Sequence, residues 1–245
     1  MSRKCAAPAS PALYIAASPI GNLEDITLRA MRLLRECSFV ICEDTRRTLA
    51  LLTHLDIRKP LESCHAHTGV ARVGRLAEAI RSSEAGAVFM SDGGTPGVSD
   101  PGAELVRACR DLGVPVIPLP GASALTAALS VSGFPSNGVF FAGFLPLKPG
   151  KRRKALQTAP DGHTTLVCYE SPYRIHALLE DIGALFPQAE LLICREMTKM
   201  HEEYIFWRAG EDIPELMKKG EYTVVMHIPR TREPQAGPRN TGEKV

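Results

Sequence analysis

The 245-residue sequence has no C-x-x-C pair, although it carries cysteines at positions 5, 37, 42, 64, 109, 168 and 194. An odd set without paired spacing argues against a disulfide framework. Most of these cysteines sit in apolar segments such as "FVIC" and "LLIC", where a thiol behaves as a small buried hydrophobe, so we expect them reduced, in a cytosol. No run of about 18 apolar residues occurs, which leaves no candidate membrane helix. The opening "MSRKCAAPASPALYIAAS" has the basic start of a signal peptide, but Pro8 and Pro11 interrupt its apolar part, and Ala12 to Ala17 reads as a first strand. G-x-x-x-x-G-K-[ST] and G-x-G-x-x-G are both missing, and no lysine or arginine lies between Met90 and Glu104. A nucleoside triphosphate cradle and a dinucleotide fingerprint are thereby excluded. A net charge of +2 is too small to name a nucleic-acid partner unless the basic residues cluster. There is no internal repeat.

With 44% hydrophobic and 23% charged residues, the chain has an ordinary globular balance and length for two domains. Short apolar runs ("ALYIAA", "FVIC", "LESCH", "AVFMS", "VPVIPL") alternate with helical patterns ("ITLRAMRLLRE", "VARVGRLAEAIRSS", "AELVRACRDLG"). That alternation predicts β-α units and a mainly parallel sheet with helices on both faces. In "ITLRAMRLLRE", Ile26, Ala30, Leu33 and Leu34 share one helical face. Beyond "PLPGASA" the strands "GVFFAGFL", "TTLVCYE", "ELLICRE", "EYIFWR" and "EYTVVMHIP" follow with shorter gaps, which predicts a mixed sheet in a second α/β domain. We place a flexible tail at 1–11, the first domain at 12–121, the second at 122–229 and a disordered tail at 230–245, where apolar residues nearly vanish.

Three loops rich in glycine and proline follow strands: "SPIGN" (Ser18–Asn22), "SDGGTP" (Ser91–Pro96) and "PGASA" (Pro120–Ala124). In open α/β sheets ligands lie outside the carboxyl ends of the strands. Glycine there admits positive φ and close approach, and proline fixes a turn. Each loop alone also reads as a tight turn; their concentration in one half of the chain favours a ligand. Backbone donors with Ser91, Asp92 and Thr95 suit a ligand offering hydroxyls and an amine rather than polyphosphate, and S-adenosylmethionine fits that description.

"SPIGNLEDITLRA", "CEDTR", "SDGGTPGVSDPG", "PGASAL", "GFLP", "YESPYR" and "CREMTKMHEE", in this order and spacing, resemble the ribosomal RNA small subunit methyltransferase I family of the tetrapyrrole methylase superfamily, over about residues 12 to 228. The resemblance implies two α/β domains of the tetrapyrrole methylase type with S-adenosylmethionine between them. It also implies a cytoplasmic homodimer and 2′-O-methylation of a cytidine ribose in the decoding region of 16S ribosomal RNA in the small subunit, with S-adenosylhomocysteine as product. By place in the motifs, Ser91, Asp92, Gly94, Thr95, Pro96 and Val98, with Ser123 and Ala124, become cofactor candidates, and Pro19 and Gly21 border the cleft. Gly93 stands where alanine is usual and Ser18 where threonine is usual. "HAHTG" (His65–Gly69) replaces the customary His-x-His-Asn-Glu, which leaves no substrate role to carry over to that segment. Many members continue into a small helical C-terminal domain without a counterpart here, so RNA grip is expected to be weaker or differently placed.

Methyl transfer from a sulfonium needs alignment, and a ribose hydroxyl benefits from a base or a cation. Glu170 and Glu196 are the candidate bases; Lys199, counted with them in the catalytic set, joins Arg174 and Arg195 as a candidate to orient RNA, each of these charges also readable as a strand-end charge or an internal ion pair. "CEDTR" (Glu43, Asp44, Arg46) lies at another strand end facing the same crevice. "KPGKRRK" (Lys148–Lys154) reads as a solvated connector or as a flexible arm in which Lys151, Arg152 and Arg153 meet phosphates. His65 and His67 would share one face of a strand, two ligands without a third, so no metal is expected. The alternatives are a methyltransferase acting on a tetrapyrrole precursor, which would have less use for "KPGKRRK", and a non-catalytic RNA-binding protein on the same fold.

Overall fold

The protein is described by a computed structural model over residues 11–158 and 165–229. Cys5, the tail at 230–245 and all of the N-terminal tail except Pro11 lie outside the described residues. Strands β1 (Leu13–Ala16), β2 (Phe39–Cys42), β3 (Leu61–Ser63), β4 (Ala87–Met90) and β5 (Val116–Leu119) form an all-parallel sheet in the order β3-β2-β4-β1-β5. Crossover helices must then cover both faces. Helices α1 (Leu28–Glu36) and α2 (Thr45–His54) take one, α3 (Val70–Ser82) and α4 (Ala103–Asp111) the other.

Strand β4 shows why its sequence is apolar throughout. Val88 and Met90 pack with Leu33, Leu34 and Leu52 on one side, whereas Ala87 and Phe89 pack with Leu76, Ile80 and Leu105 on the other. Helix α1 starts where Thr27 Oγ1 accepts the Ala30 N–H at 3.1 Å, and its buried residues are Ala30, Leu33 and Leu34. Ile26, expected on that helical face, lies one residue before the cap and packs into the same core.

The second sheet, β6 (Val139–Phe144), β7 (Thr165–Glu170), β8 (Glu190–Arg195), β9 (Glu203–Arg208) and β10 (Tyr222–His227), has the order β6-β7-β10-β8-β9. It is mixed: β6 pairs parallel with β7, and the other pairs are antiparallel. Helix α5 (Ala124–Ser132) buries Ala128 against Val167, Leu192, Cys194 and Val225. On the opposite face α6 (Pro149–Gln157) and α7 (Ile175–Leu185) pack Leu156, Leu178 and Ile182 onto Leu166, Leu191 and Val224. The fold is therefore two α/β domains, one sheet parallel and one mixed.

Two local expectations are corrected. "KPGKRRK" is the start of α6 rather than a connector: Pro149 occupies the first turn, where its fixed φ suits a helix, and Arg152 with Leu156 one turn on is buried. Strand β3 ends at Ser63, so strand alternation never reaches His65 and His67; they sit in a turn where the His67 N–H donates to His65 Nδ1 at 3.2 Å. The six described cysteines are buried and unpaired. Among the described residues no helix is long and apolar enough to cross a membrane.

Candidate active site

Because β4, β1 and β5 are neighbours in the sheet, the loops that leave their carboxyl ends emerge side by side. Hydrogen bonds tie them into one unit. Ser18 and Gly94 exchange backbone bonds of 2.8 and 2.9 Å, Ser18 Oγ donates to the Ser91 carbonyl at 2.6 Å, and Thr95 Oγ1 donates to the Ala122 carbonyl at 3.1 Å. Gly94 has φ +84°, a conformation that favours glycine.

These loops wall a cleft of about 510 Å³, whose far side is built from the second domain. Pro19, Gly21, Asp92, Gly94, Thr95, Val98, Ser123 and Ala124 line it, opposite Phe144, Tyr169, Glu170 and Lys199. Ser91 and Pro96 are different. Ser91 is buried with its hydroxyl toward the Gly94 carbonyl and lines a smaller cavity beside Asp92 and Arg47, and the buried Pro96 is not part of the wall of the main cleft.

Several wall residues were not singled out by sequence. Arg47, on the first turn of α2, reaches 3.5 Å from Asp92 Oδ2, while the Asp44 N–H donates to Asp92 Oδ1 at 3.1 Å. Asp44 caps α2 and takes Arg46, so this part of "CEDTR" secures the helix beside the cleft. Asp100 also lines the cleft; burial pushes its carboxyl above the ordinary carboxylate range, a Ser91 hydroxyl opposes this, and the Asp92 charge adds to it. Glu43 is likewise raised, first by burial and then by Asp92. The signal for Asp100 was present in "SDGGTPGVSDPG", but nothing in a linear motif says that both of its aspartates face the same cavity.

The expected bases and RNA contacts are mostly engaged inside the protein. Glu170 has a side chain with 0% exposure; it accepts the Ser171 N–H at 2.7 Å and pairs with Arg174 at 2.9 Å. Arg174 also donates to the Leu145 carbonyl at 2.7 Å. Glu196 receives Lys199 Nζ and the Glu221 N–H at 2.8 and 3.0 Å, and Lys199 also binds Glu221 at 2.8 Å. Burial alone would push the Glu196 carboxyl up, but the Lys199 and Glu221 bonds outweigh it and hold it below its ordinary value. Arg195 is buried, donating to Glu203 at 2.7 Å and to the Lys219 and His201 carbonyls, so it does not reach RNA. The same correction applies to Arg152, whose side chain, 5% exposed, pairs at 2.6 Å with Asp181, itself 3% exposed. Arg153 shares Asp181 at 2.6 Å but remains half exposed, and Lys151 is exposed.

Residues 12–212 match the family model of tetrapyrrole (corrin/porphyrin) methylases. The fold agrees with solved members: a uroporphyrin-III-C-methyltransferase from Thermus thermophilus has a TM-score of 0.59 at 23% identity, covering 88% of this chain and 94% of that one. The methyltransferase CobJ has a TM-score of 0.64 at 20% identity over the same shares. Fold and cleft together define a two-domain methylase. The chain is also 42% identical over 217 residues to a ribosomal RNA small subunit methyltransferase I of Thermotoga maritima, covering 87% of this chain and 97% of that relative. A relative of the same name in Leptospira biflexa is 39% identical over 217 residues, covering 88% and 90%. Within the tetrapyrrole methylases, the chain therefore belongs to the ribosomal RNA small subunit methyltransferase I family.

Proposed function

We propose that the protein transfers a methyl group from S-adenosylmethionine to a cytidine ribose 2′-hydroxyl in the decoding region of 16S ribosomal RNA. The observation that carries this reading is the cleft in which the β1, β4 and β5 loops are locked by the Ser18–Gly94 and Thr95–Ala122 bonds. Its volume of about 510 Å³ falls in the range of about 300–1,000 Å³ usual for small-molecule sites. The donor set fits a zwitterionic nucleoside. Ser123 and Ala124 present the positive end of α5, without a side-chain cap of its own, which suits a carboxylate. Asp92 suits an ammonium, and Ile20, Val98, Phe144 and Tyr169 supply an apolar surface. Thermus thermophilus uroporphyrin-III C-methyltransferase has been solved with S-adenosylhomocysteine, and the names of the ribosomal relatives supply the RNA as substrate.

Bound there, S-adenosylmethionine supplies an activated methyl group. The protein's contribution is alignment and exclusion of water, with the second domain closing over the loops. Buried Glu170, paired with the partly exposed Arg174, fixes the end of β7, which carries Tyr169 into the cleft. Exposed Lys151 and Arg153, with Lys148 and Lys154, offer charge for the RNA backbone. The homodimer belongs to the same proposal and is read by sedimentation of the purified chain. The test of function is incubation of the protein and labelled S-adenosylmethionine with unmethylated small subunits, followed by mapping of the modified nucleotide. Label at a single cytidine 2′-oxygen supports the proposal; label on a base, or on an added tetrapyrrole instead of RNA, overturns it.

A further inference from the structure

The segment between the cofactor loop and α4 has an unusual backbone. Gly97, Ser99 and Gly102 all have positive φ, +83°, +62° and +132°. Gly102 lies against the Phe89 ring so closely that no Cβ would fit. Ser99 is not a glycine, and holding it in the left-handed region costs of order 1–3 kcal/mol, which persists only where the surroundings enforce it. Here a close approach crosses between domains. Strand β6 carries a bulge between Phe141 and Gly143, Gly143 has φ +58°, and a Cβ there would stand 2.8 Å from Ser99 Oγ. The segment approaches β6 at Ser99, and the next residue, Asp100, stands in the cleft wall with Asp92 and Tyr169.

Four acidic residues line the cleft, Asp92, Asp100, Glu170 and Glu221, and three are already paired with a cation: Asp92 with Arg47, Glu170 with Arg174 and Glu221 with Lys199, which also takes Glu196. Among the described residues no cation pairs with Asp100. We propose that Asp100 is the proton acceptor for the substrate hydroxyl, positioned by the strained Ser99 and the β6 bulge. This rests on the methyl-transfer reading above. In the step, the hydroxyl oxygen forms a bond to the methyl carbon, and the carbon–sulfur bond breaks with its electron pair on sulfur, leaving a neutral thioether. The hydroxyl proton passes to an Asp100 carboxylate oxygen and from there to water. Burial favours this assignment, because a carboxylate raised above its ordinary range is a better base than a free one. The ionisable groups that face it are Asp92 from the β4 loop, Glu43 from the end of β2 and Tyr169 from the end of β7.

The test compares wild type, Asp100→Asn and Asp100→Glu in single-turnover methylation of small subunits between about pH 6 and 9, together with S-adenosylmethionine binding by calorimetry and a far-ultraviolet dichroism spectrum. We expect Asp100→Asn to bind the nucleoside within about threefold of wild type while methylating about 10²–10⁴-fold more slowly. Its residual rate should rise tenfold per pH unit where the wild type is flat, because hydroxide replaces the lost base. Asp100→Glu should keep the flat profile at an intermediate rate, and it decides the matter if the asparagine variant fails to fold. A wild-type rate and profile in Asp100→Asn overturns the inference while leaving the function intact. So does a loss of nucleoside binding that accounts for the whole defect. A wild type that binds S-adenosylmethionine but methylates no ribose overturns the functional reading and this inference with it.

Discussion

Ser18 and Gly94 hold each other by two reciprocal backbone bonds of 2.8 and 2.9 Å, across 76 positions of sequence. The pairing fixes the β4 loop against the β1 loop only while Gly94 keeps φ +84°. Gly94→Ala forces a side chain into the left-handed region at a cost of about 1–2 kcal/mol. We expect it to weaken S-adenosylmethionine binding about tenfold, the equivalent of about 1.4 kcal/mol. Gly93→Ala should leave binding unchanged, because its Cβ would meet only the Pro19 carbonyl at an ordinary 3.6 Å. Calorimetric titration of the two variants checks the contrast.

Asp181 serves Arg152 and Arg153 at once from the buried side of α7. Asp181→Ala strands the Arg152 guanidinium in the core, so we expect a loss of about 3–5 kcal/mol in urea unfolding. Lys151→Ala, one residue from that pair but exposed, should stay within about 0.5 kcal/mol of wild type.

Lys151 and Lys154 are exposed and three residues apart on α6, and therefore share one helix face. If that face meets phosphates, Lys151→Ala with Lys154→Ala lowers the slope of log affinity for RNA against log salt by about 1.4 to 1.8. Affinity for S-adenosylmethionine should not change.

Asp44 caps α2, and the Arg46 guanidinium holds its carboxyl down to about 2. A carboxyl lowered by folding stabilises the protein above the unfolded-state value of about 3.9 and loses that contribution as the pH falls toward about 2. Arg46 is 89% exposed, so the effect is small and salt-sensitive. Asp44→Asn keeps an oxygen for the cap but removes the charge. Its melting temperature should therefore approach that of wild type as the pH drops from 5 to 2, and in high salt at neutral pH.

The ten strands among the described residues were legible from their apolar runs, and α1 from the periodicity of Ala30, Leu33 and Leu34. The neighbourhood of the cleft loops was not, because the adjacency of β4, β1 and β5 is a property of sheet order that no local pattern carries. Charged residues misled for the same reason. Arg152, Arg195 and Glu170 look like surface chemistry in sequence, but each meets a partner 29, 8 or 4 residues away that buries it. The basic run of α6 looked like a solvated connector or a flexible arm because Lys148, Pro149 and Gly150 obscure a helical pattern whose buried stripe begins with an arginine. Asp100 was overlooked because its meaning depends on the backbone turn at Ser99 and on β6 of the other domain.

The central claim is that the cleft between the domains seats S-adenosylmethionine through the β1, β4 and β5 loops. A structure of the protein crystallised with S-adenosylhomocysteine tests it most directly. Density for the nucleoside between the Asp92–Thr95 loop and Tyr169, with its carboxylate toward Ser123 and Ala124, is the result expected. Density elsewhere on the chain, with this cleft holding only solvent, would contradict it.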